Sequence, residues 1–144
     1  MYKRQREGLA QAVRGALDEA GCAPEEIDVV FADALGVPEA DRAEALALAD
    51  ALGPHGTRVP VTAPKTGIGR SYCGAPLLDI VAAVLAMEHG QVPPTPGVFD
   101  ICHDIDLVTG TARPAELRTA LILSRGLMGS NAALVLRKGP GASL

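Results

Sequence analysis

The stretch "PLLDIVAAVLAMEHG" limits the possible folds of this chain more than any other. Residues 76–87 are almost wholly apolar and the run stops at Gly90. A helix with one wet side needs only an apolar stripe, whereas this one is apolar nearly all round. It is therefore expected to be a helix buried on most sides, in the middle of something larger.

The neighbouring segments supply layers for it. Leu9, Val13, Ala16, Leu17 and Ala20 recur at helical spacing and end at Gly21, a natural C-cap. In "EEIDVVFAD" the unbroken apolar run over 29–32 has the character of a strand buried on both faces. "PEADRAEALALADALG" reads as a second helix, with Pro38 and Glu39 suited to its first turn and Gly53 to its end. "TRVPVTAP" is a short strand interrupted by Pro60, "QVPPTPG" an extended connection, and "DICHDIDLVTG" a surface crossing. "RTALILSRG" and "NAALVLRKG" read as an antiparallel pair. The series predicts a layered α/β domain with a mixed sheet and a buried helix.

At 144 residues, 48% of them hydrophobic, the chain can bury one core without disulfide support. The formal charge of -4 and the lack of any Trp argue against nucleic acid. Apolar runs interrupted by charge, Gly or Pro argue against a membrane span, and the charged N-terminus against a signal peptide. A cytoplasmic location is expected. Cys22, Cys73 and Cys102 are widely spaced, as are His55, His89 and His103, so neither a disulfide framework nor a metal site is expected. Adjacent Cys102 and His103 point to opposite faces of an extended strand, which suits a turn better than a catalytic pair. No cofactor is implied.

Chemistry-bearing residue types crowd into "PKTGIGRSYCGAP", residues 64–76, where Lys65, Tyr72 and Cys73 stand among glycines. No base neighbours Cys73 in sequence, and a free cysteine is commonly a small buried apolar residue. One reading is nonetheless a small acyl-thioester enzyme with Cys73 or Lys65 as nucleophile.

Three stretches together carry a family resemblance. "IDVVFADALGVPEADRAEA" is similar to the ketosynthase pattern V-D-x-V-N-A-H-G-T-G-T-x-x-N-D-x-x-E. "PVTAPKTGIGRSYCGAPLLDIVAAVLAM" is similar to P-x-x-x-x-K-S-x-x-G-H-x-x-G-A-A-G, and "SRGLMGSNAALVLRK" to the closing hairpin S-F-G-F-G-G-x-N. Residues 8–138 thus resemble the C-terminal half of a thiolase-fold ketosynthase, leaving 139–144 as a flexible tail. The acidic, alanine-rich form of the first motif resembles chain-length factors, the beta subunits of type II polyketide synthases.

Active members of that family use a cysteine from the N-terminal half and two histidines that assist decarboxylation and stabilise an oxyanion. Here Asp33 and Arg70 occupy the histidine positions, and Leu35 and Val37 those of the motif's threonines. A carboxylate offers no donor to an oxyanion, and an arginine is never deprotonated. Gly36, Asp41, Glu44, Lys65, Gly69, Gly129 and Asn131 agree with the patterns, and the resemblance implies that Lys65 pairs structurally with Glu44.

What the resemblance implies is a non-catalytic subunit that pairs with a ketosynthase alpha subunit and meets the acyl carrier protein through that complex. The missing N-terminal half fits a natural truncation, a separate chain or a fragment. A further reading is an acyl-binding oligomer without any ketosynthase. In the complete fold the sister half covers the apolar helix, so the half alone is expected to expose a large apolar face.

Overall fold

The computed structural model describes residues 2–69, 71–98, 101, 104–126 and 128–139, with side chains from residue 4 onwards. In chain order the described elements are α1 (Tyr2–Ala20), β1 (Val29–Phe31), α2 (Pro38–Leu52), β2 (Pro60–Thr62) and α3 (Ala75–His89). Then come β3 (Gln91–Val92), β4 (Asp106–Leu107), β5 (Arg113–Pro114), β6 (Thr119–Arg125) and β7 (Asn131–Arg137).

A five-stranded sheet has the order β4-β2-β1-β6-β7. β1 lies parallel to β2 and β6, β2 parallel to β4, and β6 antiparallel to β7. The expected mixed sheet and closing antiparallel pair are thus present. β3 and β5 form a separate two-stranded antiparallel ribbon.

Side chains alternate between the two faces of a strand, and this alternation distributes the core. Val30, Val61, Leu121 and Leu123 pack with Leu9, Val13 and Leu17 of α1 and Leu48 of α2. Val29, Phe31, Ala120 and Ile122 pack on the opposite face with Ala83, Ala86 and Met87 of α3. The start of β6 is stitched to the residue before β1 by the half-buried Asp28 carboxylate, which accepts the N–H groups of Arg118 and Thr119 at 2.7 and 2.9 Å.

Local signals account for the helix ends. Gly90 takes φ 64° after α3 and donates its N–H to Ala86 O, the left-handed cap that a side chain would resist. α1 begins at Tyr2, ahead of its apolar face at Leu9 and of the domain start expected at residue 8. Of the tail expected over 139–144, residues 140–144 lie outside the described residues.

The apolar helix is only half buried by this chain. Ala75, Asp79, Ala83, Ala86 and Met87 face inward. Leu77, Val81 and Leu85 face outward, with exposures of 66%, 57% and 47%. The structure thus shows the bare apolar face expected of a half standing alone. By length and composition Tyr72–His89 reaches the size of a membrane span, against the expectation that no run would. Its inner side nevertheless carries a carboxylate paired with a lysine and packs on a sheet, which are the marks of a core helix.

Candidate functional site

The carboxyl ends of β1, β2 and β6 lie at one end of the sheet because these strands run parallel within it or through it. There the loop after β1 carries Asp33, the turn after β2 carries Lys65, and β6 ends at Arg125. Successive N–H groups of that first loop turn towards α2. Glu44 accepts from Asp33 N at 2.7 Å and Ala34 N at 3.1 Å, and Asp41 accepts from Leu35 N at 2.9 Å and Gly36 N at 3.0 Å. These are charge-assisted bonds, which satisfy donors that would otherwise be orphaned in a partly buried turn.

Arg125 draws the same carboxylates to the opposite side. Its Nη2 donates to Glu44 Oε2 at 2.9 Å and lies 3.5 Å from Asp41 Oδ1, while Nη1 donates to Ala40 O at 2.7 Å. Its Nε stands 3.3 Å from Asp33 Oδ2, and its backbone N–H donates to Asp33 Oδ1 at 3.2 Å. Asp33, Glu44 and Arg125 are all buried. Burial pushes the Glu44 carboxyl above its ordinary value, against the downward pull of Arg125 and the Asp33 and Ala34 N–H groups.

Lys65 has a different partner from the one expected. Its buried ammonium donates to Asp79 on α3 and to Ala32 O at 2.8 Å, while Glu44 is taken up by Arg125 and the loop. The correction has a steric reason. Lys65 sits in the 3-10 turn Pro64–Ile68, which packs towards α3, whereas Glu44 lies on α2 across the sheet. Asp79 is fully buried, and burial raises its carboxyl although Lys65 opposes the shift.

Between Asp33 and Lys65 is a small cavity of about 200 Å3, lined also by Ala34 to Gly36, Thr66, Gly69 and Ala75. A larger cavity of about 560 Å3 lies beside it under α2, walled mainly by alkyl groups such as Ala45, Leu48, Val61 and Leu107. Its carboxylates, Asp41 and Glu44, are bonded to the loop N–H groups.

Asp33 and Lys65 thus meet at one site, joined there by Glu44 and Asp41. Arg70, Cys102 and His103 lie outside the described residues. Leu35 lies within the Asp33 loop and Val37 at its end, just before α2. Cys73 is exposed in the turn Tyr72–Gly74, contrary to the buried role considered for it.

Two residues of the site went unrecognised in the sequence. Asp79 was hidden as the one acid within the apolar run 76–87, itself a signal that a buried cation would meet it. Arg125 replaces the first phenylalanine of S-F-G-F-G-G-x-N, and this exchange of a ring for a charge at the end of a buried strand was the available signal.

Residues 1–98 match the family described as Beta-ketoacyl synthase, C-terminal domain. A polyketide beta-ketoacyl synthase 2 of Streptomyces coelicolor is 78% identical over 138 residues, covering 96% of this chain. The chain spans only about a third, 32%, of that relative and 33% of a second one from Streptomyces cyaneus, also 78% identical over 99% of this chain. The solved ishigamide ketosynthase/chain length factor is similar with a TM-score of 0.86 and 34% identity, over 94% of this chain and 34% of that one. With this sheet, this order of motifs and these similarities, the chain belongs to the beta-ketoacyl synthase C-terminal domain family and has its thiolase-like α/β fold.

Proposed function

We propose that the chain acts as the C-terminal half of a non-catalytic, chain-length-factor-like beta subunit. In this reading it pairs with an active ketosynthase alpha subunit during polyketide or fatty-acyl elongation, receives substrate through the acyl carrier protein of that complex, and works in the cytoplasm. The observation that carries the reading is the state of Asp33. Where the family pattern has an imidazole, this carboxylate faces the Arg125 guanidinium and backbone N–H. It has no proton to offer an oxyanion and would repel a malonyl carboxylate.

Two further features support it. The two Streptomyces relatives at 78% identity are of the type numbered 2, and one similar solved structure is described as a ketosynthase/chain length factor. The outward Leu77, Val81 and Leu85 need cover from another half, in the same chain or a separate one. The enzyme reading fares worse, because Lys65 is buried and bonded to Asp79 and Ala32 O rather than free to attack.

Co-expression with a ketosynthase alpha subunit and an N-terminal half from the same family is the test. The expected outcome is a stable complex that elongates acyl chains, with no adduct at Cys73 or Lys65 after treatment with an acyl thioester. A chain that is folded and monodisperse alone and ignores that ketosynthase overturns the partner reading. An adduct at either residue revives the enzyme.

A further inference from the structure

Burying an arginine beside a glycine-rich turn is costly unless its charge is paired and hydrogen-bonded. At Arg125 the groups that do so come from separate segments: the Asp33 carboxylate after β1, and Ala40 O, Asp41 and Glu44 of α2. Just beyond it, Gly126 donates to Ser130 O at 2.8 Å and Gly129 to Gly126 O at 3.1 Å ahead of β7. Arg125 therefore ties the loop of the lost imidazole to the turn of the third motif. A phenylalanine, which the family pattern has there, could make none of these bonds. An imidazole at position 33 would replace the carboxylate facing the guanidinium with a neutral or cationic ring.

We propose that Asp33 and Arg125 are one exchanged unit, in which each residue is suited to its site by the other, and that Arg125 is a positioning residue for the loop and the turn. The inference deepens the partner-subunit reading and rests on it. A subunit that pairs without reacting still has to present this end of its sheet in a fixed shape, and the ion pair supplies the fixing where the reaction centre has gone. The pairing is one of geometry as well as charge, because Nη1 and Nη2 donate to different acceptors, Ala40 O and Glu44 Oε2, while Nε lies 3.3 Å from Asp33 Oδ2. Lysine cannot imitate that fork.

The test uses the subunit with an N-terminal half, co-expressed with a ketosynthase alpha subunit, as wild type, Asp33→His, Arg125→Phe, the double variant and Arg125→Lys. Each single change is expected to lower the thermal midpoint of the complex by about 5 °C or more. The double variant should recover more than half of the summed loss, and Arg125→Lys should behave like Arg125→Phe. Turnover per assembled complex, measured below every midpoint, should fall in the single variants and recover in the double one. If a single variant does not accumulate, a double variant that does is the rescue, and a double variant that also fails overturns the proposal. Additive losses, harmless single changes, full function in Arg125→Lys, or unchanged turnover per complex also overturn it. If even the wild type does not join the ketosynthase, the partner reading has failed. The same cycle is then read from urea unfolding of the subunit alone, where non-additivity sustains the exchanged pair and additivity ends it.

Discussion

Ala34 has φ 47°, a left-handed conformation in which an L side chain is strained by about 1–2 kcal/mol. The family pattern has glycine there, and the N–H bond to Glu44 holds the alanine in place. Ala34→Gly should therefore raise stability by about 0.5–1 kcal/mol, after the greater backbone freedom of unfolded glycine is subtracted. A higher urea midpoint with an unchanged slope is the expected result. Lys65 and Asp79 make a second test at this scale. Lys65→Met leaves a fully buried carboxylate without its cation and should destabilise by about 3–5 kcal/mol, most of it regained on adding Asp79→Leu. The sign of the pH effect follows from the raised Asp79 value. The folded form holds that proton more tightly than the unfolded one, so this contribution is present below the ordinary 3.8 and is lost as pH climbs through the raised value. The advantage of the wild type over the Lys65→Met/Asp79→Leu double variant should be largest near about pH 4 and shrink towards neutrality. An advantage that grows over that range contradicts the assignment.

Among the elements, close approach rather than periodicity decides several outcomes. The 3-10 turn Gly53–Thr57 folds back on α2, and a Cβ added at Gly56 would lie 2.5 Å from Leu48 O. Backbone cannot yield cheaply there, so Gly56→Ala should cost about 1–3 kcal/mol, read from thermal melting. Such contacts are invisible in sequence, while the elements themselves were largely legible. Val29 to Phe31 are buried on both faces as their unbroken apolar run implies, and β6 and β7 form the antiparallel pair their patterns announce. The two-residue strands β3, β4 and β5 carry too little pattern to be seen. The first turns of α1 lacked apolar residues to mark them. At the site, Asp33, Lys65 and Glu44 stood out through motif agreement or departure. The pairing of Lys65 was misassigned because its carboxylate comes from another element, beyond the reach of helical spacing rules. Arg125 looked like the charged end of a strand and became recognisable only when the loop from β1 was seen beside it.

For the whole molecule, one side of α3 remains to be covered. Leu77, Leu78, Val81, Val84 and Leu85 are exposed together with Ile68 and Tyr72 in the turns before them. Leu77→Lys with Val81→Glu should make the chain alone more soluble and weaken its binding of a hydrophobic dye. In the partner-subunit reading the same changes should abolish association with an N-terminal ketosynthase-type half, measured by co-purification, and retained association would mean that the cover lies elsewhere. The strand order has a consequence in time as well. β1 gains its second neighbour only when β6 arrives, and the Asp28–Thr119 contact beside that junction spans 91 residues. Pairings this distant close slowly and leave apolar surface open meanwhile. During synthesis the centre of the sheet stays unfinished until β6 and β7 have left the ribosome, so this half acquires its core only after more than a hundred residues have waited for their closing strands.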